Sequence, residues 1–428
     1  MSEVVIVSGS RTAIGGFGGG LKDVPVTQLG AIVIKDVLKK VGLKAKSSAK
    51  LVGYGPNALA NDVCEVEKKY YDWPDNLKDI QVDEVIMGNV YPQGQRQNPG
   101  RQASMFAGLP KETTGITVNK LCASGMEAII TGSQKILCDD ADVIIAGGMD
   151  NMSNVPYALP RARWGYRMDI SGKAEFYDLL IYDGLMEGFY GYHMGNTAEN
   201  IAAKYGITRE EQDQMALLSH QRAMAAIKSG VFKEEIAPVI IPQKKGEPVV
   251  FDTDERPMET TLEKLAKLPA AFKKDGTVTA GNSSGINDAA AVVLLMTADK
   301  AKEMGLEPII RIKAHASAGI DSAYMGLGVI PAVRKVMEKA KIDYKDLDII
   351  EMNEAFAAQA IGCLRELPFD INKVNTLGSG ISLGHPVGAT GARVLVTMGN
   401  EMKRRNLHRG LATMCVGGGM GIAMIVVR

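Results

Sequence analysis

The 428-residue sequence lacks several features that would assign it directly to a protein class. Lys plus Arg and Asp plus Glu both number 49, so the formal net charge is zero. A nucleic-acid-binding protein needs a net basic face, and this balance argues against one. No apolar run reaches the roughly 20 residues of a membrane-spanning helix. We therefore expect neither a nucleic-acid partner nor a membrane.

Cysteine is scarce and scattered along the chain. The five cysteines are Cys64, Cys122, Cys138, Cys363 and Cys415. Their number is odd, no two form a CxxC pair, and none shares a zinc-site spacing with histidine, so we expect no bound metal. Free thiols favour a reducing compartment. The first residues lack the features of a signal peptide and the last match no address motif, so we expect a cytoplasmic protein.

Glycine, by contrast, is abundant, and it accompanies short apolar runs. The 47 glycines include clusters at 18–20 and 417–419, which lie beside strand-like sequence and indicate close backbone contacts. Helical patterns at 26–41 and 329–340 alternate with apolar runs, and this alternation predicts α/β layers. The runs are 4–7, 84–87, 116–118, 143–146, 290–296, 309–314, 347–351, 411–415 and 422–427.

The two ends of the chain repeat one order of elements. Each end contains an apolar strand, a short motif, a helix and a second strand, in that order. The motif is Asn119-Lys-Leu-Cys-Ala-Ser-Gly125 in the first part and Leu383-Gly-His-Pro-Val-Gly388 at the end. In this register Cys122 falls opposite the neighbourhood of His385. A duplicated unit would bring two helix N-termini toward one centre. The charged, loop-rich middle is interpreted as an inserted lobe that could cover a ligand.

Two residues at these helix starts are candidates for chemistry. Cys122 lies where unpaired N–H groups and the helix dipole would make a thiolate easier to form, although most isolated cysteines are inert core residues. His385 lies between Gly384 and Pro386, and the proline disfavours a mid-helix position. It could deprotonate a thiol, or it could be a turn histidine without a chemical role.

Two further candidates follow strands. Cys415 lies shortly before the three glycines 417–419, and the bare N–H groups of glycines such as Gly417 suit an oxyanion hole. Alternatively, Cys415 is a buried strand cysteine without a chemical role. Asn353 could hold a water or an oxyanion, or it could cap a helix. A thiol nucleophile, a histidine base, a second thiol and glycine N–H groups together make up what acyl transfer requires.

With these motifs the chain resembles the thiolase family over nearly its whole length. The motifs His193-Met-Gly195 and Thr197-Ala-Glu-Asn200 are similar to the biosynthetic, acetoacetyl-CoA branch. The other stretches that carry the resemblance are Ser10-Arg-Thr-Ala-Ile-Gly-Gly-Phe-Gly-Gly19, Gln97-Asn-Pro-Gly-Arg-Gln102, 119–125, Gly147-Gly-Met-Asp-Asn-Met-Ser153, Thr279-Ala-Gly-Asn-Ser-Ser-Gly-Ile-Asn-Asp288, 353–357, 384–388 and 415–419.

The resemblance implies an acyltransferase that condenses two acetyl-CoA into acetoacetyl-CoA and CoA, with thiolysis as the reverse reaction. Cys122 would carry the acetyl group, His385 would activate its thiol, and Cys415 would remove the α-proton of the second acetyl-CoA. His385 and a water held by Asn353 would form one oxyanion hole. The N–H groups of Cys122 and Gly417 would form a second.

The resemblance also implies the ligand path and the architecture. No tightly bound cofactor and no metal are expected, because a coenzyme A thioester is the substrate. The expected α/β fold has two βαβαβαββ halves, residues 1–307 and 308–428, that form a five-layered α/β/α/β/α core. A lobe at about 152–285 would cover CoA. Members of the family usually form homodimers or homotetramers. The residues expected along the CoA path are His193, Met194, Ser284, Met325 and Phe356.

The sequence departs from the family pattern in three places. An extension at about 44–80 is longer than the usual link, and its role is not predicted. Arg256 precedes Pro257, whereas the family tends to place an arginine after the proline, where it reaches the CoA phosphate. We therefore do not assign that contact to Arg256. The loop 377–383, which precedes His385, also differs from the usual Gly-Gly-Ala run.

Two alternative functions stay open. One is a degradative 3-ketoacyl-CoA thiolase that accepts longer acyl chains; Met325 and the pair His193 and Met194 would narrow the acyl pocket and argue against it. The other is a CoA- or lipid-binding protein without turnover. That alternative predicts loss of Cys122, His385 or Cys415, and all three are present.

Overall fold

The computed structural model describes residues 3–59, 62–168, 170 and 172–428. Two residues of the expected extension and two of the expected lobe therefore lie outside the described residues. The elements before the lobe are β1 (Val4–Thr12), β2 (Gly15–Gly16), α1 (Val26–Lys39), β3 (Leu43–Ala45), α2 (Ala49–Val52), α3 (Glu65–Tyr70), β4 (Lys78–Ile80), β5 (Glu84–Gly88), α4 (Pro99–Phe106), β6 (Thr114–Val118), α5 (Ser124–Leu137) and β7 (Val143–Asn151).

The lobe and the second part of the chain follow. The lobe contains β8 (Tyr157–Ala158), β9 (Tyr177–Asp178), α6 (Leu179–Gly184), α7 (Met194–Tyr205), α8 (Arg209–Ser229), β10 (Ile236–Ala237), β11 (Val239–Ile241), β12 (Val249–Phe251) and α9 (Leu262–Ala266). After it come β13 (Asn287–Thr297), α10 (Ala298–Met304), β14 (Ile310–Gly319), α11 (Val329–Ala340), β15 (Ile349–Met352), α12 (Ala357–Glu366), α13 (Gly380–Leu383), α14 (Val387–Arg405), β16 (Arg409–Val416) and β17 (Met420–Val427).

The core strands lie in the order β15-β16-β17-β14-β1-β13-β7-β5-β6. The two halves meet where β1 pairs with β14 over only two positions, Val5 with Arg311 and Ile6 with Ile310. On each side of this junction the strands follow the same connectivity. The molecule is therefore two related sheets joined at their first strands.

The first half has the predicted order βαβαβαββ, from β1 through α1, β5, α4, β6, α5 and β7 to β13. The second half repeats it with one difference. Its third strand is reduced to a single bridge between Val374 and Ile350. Pro368, Asp370 and Asn372 lie in this stretch, and these residue types are depleted in strands. The predicted duplication is confirmed, apart from this strand.

The five predicted layers are also present. The helices α5 and α14 lie between the two sheets, α1 and α4 cover the outer side of the first, and α11 and α12 cover that of the second. The central layer is one apolar cluster that includes Met126, Leu295, Val394 and Met414. Because helices cover both faces of each sheet, most core strands are buried along their length, whereas β6 and β14 keep partly exposed residues.

The lobe has its own local signals. Helix α8 begins with a capping box in which Thr208 and Glu211 bond reciprocally to backbone N–H groups, as the sequence predicts. The expected extension packs back on the first half: the indole N–H of Trp73 donates to the carbonyl of Gly108 at 2.8 Å, and Glu67 accepts the N–H of Lys111 at 2.8 Å. Within the described residues, no helix is long and apolar enough to span a membrane.

Candidate active site

A cavity of about 510 Å³ lies where the N-terminal ends of α5 and α14 meet. Two of the ten predicted site residues, Asn353 and Cys415, are fully buried and do not line it. The other eight line the cavity: Cys122, His193, Met194, Ser284, Met325, Phe356, His385 and Gly417. The structure thus brings together residues from both halves and from the lobe.

Cys122 is held by a turn with an unusual backbone. The preceding residue, Leu121, has φ of 50°, a region that costs a non-glycine residue energy and that is often found at functional sites. Its N–H donates to Asn119 Oδ1 at 2.9 Å, and its carbonyl accepts the hydroxyl of Ser124, the first residue of α5, at 2.7 Å. The turn therefore fixes the sulfur just before the helix begins.

Burial controls the acidity of this thiol. It raises the pKa of Cys122 to about 11, although the N–H groups of Gly417 and of Cys122 itself act in the opposite direction. The expectation that the helix start makes the thiolate easier to form is therefore wrong in sign for the net effect. A thiol of this pKa is protonated at neutral pH, so it needs a base when it attacks a substrate.

His385 is positioned by hydrogen bonds on its backbone and on its ring. Its N–H donates to Asn287 Oδ1 at 3.0 Å, and Asn287 Nδ2 donates to the carbonyl of Gly15 at 2.9 Å. Ring atom Nδ1 is 2.6 Å from Thr390 Oγ1, and Nε2 is 3.5 Å from Asn353 Nδ2. Neither Asn287 nor Thr390 was singled out from the sequence as a site residue, although Asn287 lies inside the motif 279–288 and Thr390 lies two residues after the motif 384–388.

The imidazole is neutral at ordinary pH. Burial lowers the pKa of His385 to about 3, and the positive charge of Arg393 acts in the same direction. A neutral ring carries one lone pair and can accept a proton. At neutral pH the site therefore combines a protonated thiol with a neutral imidazole.

Asn353 is not a helix cap, so that alternative from the sequence is wrong. Helix α12 begins at Ala357, and its N-cap residue is Phe356. Asn353 is fully buried, and its Oδ1 has no hydrogen-bond partner among the described residues. A buried polar atom of this kind is unusual, and a hydrogen-bond donor such as a water would satisfy it.

Cys415 lies in β16 directly before the glycine turn. Gly418 and Gly419 have φ of 74° and 73°, which only glycine adopts easily, so the sequence of this turn is dictated by its backbone. Burial, and then the nearby charge of Cys122, raise the pKa of the Cys415 thiol well above its usual value. The two sulfurs are therefore close enough for their charges to interact.

An aromatic wall forms another side of the cavity. His193 is the N-cap of α7, where its Nδ1 accepts the N–H of Gly195 at 3.0 Å, so its ring proton lies on Nε2. The ring of Phe272, which sequence reasoning missed, stacks on His193 with centroids 4.7 Å apart and meets Phe356 edge-on. A Cβ at Gly195 would lie 2.2 Å from Phe272, which explains the glycine.

A buried carboxylate joins the two halves behind the cavity. Asp150, at the end of β7, accepts the N–H of Gly388 in the first turn of α14 at 2.6 Å. It also accepts from Asn89 Nδ2 and from the N–H groups of Val90 and Tyr91. Burial raises the pKa of Asp150 to about 7, against the effect of these donors. Sequence reasoning quoted the motif of Asp150 but gave the residue no role.

Arg256 lines the cavity, but its guanidinium is engaged by the protein. It donates to the carbonyls of Ile381 and Ser283 at 2.8 and 2.9 Å. These two carbonyls hold the side chain of Arg256 in place at the edge of the cavity. Among the residues that the structure describes, no three His, Cys, Asp or Glu side chains are placed to hold a metal ion.

Comparisons with known proteins agree with this geometry. The family model "Thiolase, N-terminal domain" matches residues 4–53 and 74–299, and "Thiolase, C-terminal domain" matches residues 306–428. An acetyl-CoA acetyltransferase of Pseudomonas aeruginosa is 50% identical over 429 residues, with 100% of both chains covered. A probable acetyl-CoA acyltransferase of Staphylococcus aureus is 44% identical over 427 residues, covering 100% of this chain and 99% of that protein. The crystal structure of the Bacillus anthracis acetyl-CoA acetyltransferase has a TM-score of 0.88 at 42% identity, covering 100% of this chain and 99% of that one.

Proposed function

The chain belongs to the thiolase family, and we propose that it is an acetyl-CoA C-acetyltransferase, which condenses two acetyl-CoA to acetoacetyl-CoA and CoA and reverses this by thiolysis. The observation that carries the proposal is the pairing of the Cys122 thiol with the neutral imidazole of His385 in one cavity. Full-length relatives at 46–50% identity carry the name of this activity.

In the first half-reaction, the sulfur of Cys122 attacks the carbonyl carbon of acetyl-CoA while Nε2 of His385 takes the thiol proton. The N–H groups of Cys122 and Gly417 stabilise the oxyanion of the tetrahedral intermediate. Both N–H groups act on the Cys122 sulfur in the direction that lowers its pKa, so they lie near the carbonyl group that this sulfur attacks. The carbon–sulfur bond of acetyl-CoA then breaks, CoA leaves with the proton of the Cys415 thiol, and His385 keeps the proton of Cys122 as an imidazolium.

In the second half-reaction, the Cys415 thiolate left by that transfer removes an α-proton from a second acetyl-CoA. The enolate oxygen is stabilised by the Nε2–H of the His385 imidazolium and by a water on Asn353. The unpartnered Oδ1 of Asn353 supports the presence of such a water. The enolate carbon attacks the acetyl group on Cys122, the thioester bond to that sulfur breaks, and the Cys122 thiolate takes the proton held by His385, while Cys415 keeps the α-proton. Protons and bonds therefore balance over the cycle.

The CoA thioester reaches the sulfur along the wall described above. His193 offers its Nε2–H as a donor, while Met194, Met325 and Phe356 supply apolar surface. Ser284 lies on the same path. We propose that this wall favours the acetyl over a longer acyl group, because Met194 and Leu121 both pack against Gly417 beside Cys122.

The remaining assignments are also proposals. Residues 1–307 and 308–428 are the two halves, and the lobe at about 152–285 covers CoA. We propose a cytoplasmic homotetramer or homodimer. All five cysteines are free thiols, which supports a reducing compartment. Trp164 and Phe176 in the lobe are 84% and 63% exposed, and surface of this kind supports contact with another subunit. Light scattering on the purified protein tests the subunit count.

Thiolysis of acetoacetyl-CoA by CoA, followed through the enolate absorbance of the substrate, tests the proposed reaction. We expect Cys122→Ala and Cys415→Ala to abolish cleavage, and Cys138→Ala, which changes an exposed thiol, to leave it intact. A long-chain 3-ketoacyl-CoA should be cleaved poorly. Equal cleavage of the long chain would move the protein to the degradative class. CoA binding without cleavage of either substrate would support a binding protein instead.

A further inference from the structure

Thr390 is the side chain that contacts the second nitrogen of His385. Its Oγ1 is 2.6 Å from Nδ1 of His385 and 2.9 Å from the carbonyl oxygen of Pro386, and Thr390 is fully buried. A hydroxyl has one proton to donate. In a helix, threonine commonly donates it to the carbonyl four residues earlier, which here is that of Pro386. With its proton used in this way, Oγ1 accepts a hydrogen bond from Nδ1.

The other ring nitrogen has surroundings that match this arrangement. Nε2 faces the Nδ2 group of Asn353 at 3.5 Å, and an amide NH₂ group suits a lone pair rather than another N–H. Both sides of the ring therefore favour a proton on Nδ1 and a lone pair on Nε2. His193, in the same cavity, has the opposite tautomer, because its Nδ1 accepts the N–H of Gly195.

We propose that Thr390 is a positioning residue that fixes the tautomer of His385 and so makes its Nε2 the base toward Cys122. This rests on the proposed function, in which the S–H bond of Cys122 breaks as an Nε2–H bond forms. The hydrogen bond from Nδ1 then stabilises the imidazolium. Without the hydroxyl, the ring also populates the Nε2–H form, which presents a proton to the thiol and cannot accept one.

Three variants separate this role from packing. Thr390→Val keeps the shape and removes the hydroxyl, and Thr390→Ser keeps the hydroxyl. Thr397→Val is the matched control, because Thr397 is a buried threonine on the same helix whose hydroxyl donates to Glu235. The rate of alkylation of Cys122 by iodoacetamide, located by mass spectrometry, is measured between pH 5 and 10. The rate of acetylation by acetyl-CoA is measured in parallel, and thermal unfolding shows whether each variant is folded.

We expect Thr390→Val to slow both reactions about tenfold or more at pH 7, the effect of one lost hydrogen bond in the transition state. Its rates should rise steeply with pH, because hydroxide must replace the base. Thr390→Ser and Thr397→Val should keep the pH profile of the unchanged protein. Equal losses in Thr390→Val and Thr390→Ser, or an unchanged profile in Thr390→Val, would overturn the proposal.

The ¹⁵N spectrum of the histidine-labelled protein gives a direct reading. The proposal expects a protonated Nδ1 and an unprotonated Nε2 for His385, identified by its loss in His385→Asn, and an Nε2–H signal there would overturn it. Alkylation and the spectrum do not depend on acetyl-CoA. If the protein failed to react with acetyl-CoA yet showed this tautomer and pH dependence, the proposed function would fail and the role of Thr390 would stand.

Discussion

The N–H of Gly388 donates to the carboxylate of Asp150 at 2.6 Å, across 238 positions of sequence. This bond ties the first turn of α14, two residues after Pro386, to the end of β7. The backbone is packed so closely here that a Cβ on Gly148 would lie 1.9 Å from the carbonyl of Gly388. The relative position of Cys122 and His385 therefore depends on a contact that allows no intervening side chain.

Asp150→Asn should weaken this contact. An amide would turn an NH₂ group toward one of several N–H donors, and leaving a buried donor unpaired costs about 1–3 kcal/mol. We expect the free energy of unfolding, measured with denaturant, to fall by this amount. Acetylation by acetyl-CoA should fall between tenfold and about 100-fold, because the two catalytic groups are displaced. Asp348→Asn is the control, since Asp348 also accepts two backbone N–H groups, from His408 and Arg409, and none of these three residues lines the cavity. Equal activity in both variants would contradict the prediction.

In Asp150→Asn, which removes the carboxyl whose pKa burial raises to about 7, the acetylation rate should be nearly constant between pH 5 and 9. The pKa of His385 is lowered to about 3 and that of Cys122 is raised to about 11, so neither group changes its protonation state in this window. The rate should fall only where acid protonates the imidazole, near pH 3. Rapid quenching and mass spectrometry of acetyl-Cys122 give the rate. A limb with a midpoint near 6.5, the ordinary histidine value, would show that the imidazole is not shielded as the structure indicates.

Gly195→Ala should damage the aromatic wall. Because the new Cβ would meet the ring of Phe272, that ring must move and its stack on His193 is lost. We expect a cost of about 1–3 kcal/mol in unfolding free energy and a raised KM for acetoacetyl-CoA. The matched substitution is Gly188→Ala, where a Cβ has nothing within 4 Å. If Gly195→Ala bound substrate normally, Phe272 would not shape the ligand path.

Trp73→Ala should affect stability without affecting chemistry. Trp73 is buried, donates to the carbonyl of Gly108 and lies under the ammonium of Lys35, and it does not line the cavity. Loss of a buried tryptophan costs about 3–5 kcal/mol. Thermal and denaturant unfolding measure this, and kcat and KM of the folded enzyme should be unchanged. Tyr54→Ala, at a position that is 72% exposed, should change neither property. A changed kcat in Trp73→Ala would give the extension a role in catalysis.

Much of the architecture could be predicted because it depends on local patterns. Several strands that are covered on both faces are apolar, and the helix Val329–Ala340 was predicted to the residue by its apolar spacing. The capping box of Thr208 and the close glycine turns are likewise local. The weakened third strand at Val374 was missed, because the comparison of the two halves predicted equal strands where composition disfavours one.

The site was predicted less completely. Cys122, His385 and Cys415 are identifiable from their motifs, but the net pKa of a thiol depends on how deeply it is buried, which the sequence does not give. The partners Asp150 and Phe272 act across many positions of sequence, so only the folded chain shows what they contact. Thr390 is only five residues from His385, yet its contact with the imidazole could be recognised only once the position of the ring was known.

Because the third strands of the two halves differ, the outer edges of their sheets differ as well. In the second half, the outer side of β15 is already occupied, because Ile350 exchanges backbone hydrogen bonds with Lys373 and Asn375. In the first half, β6 ends the sheet, and no strand of the described chain pairs with its outer side. Of these two sheet edges, only the one formed by β6 can therefore accept a strand from another molecule. An assembly that grows by strand pairing closes with two copies about a twofold axis and cannot extend into a fibre.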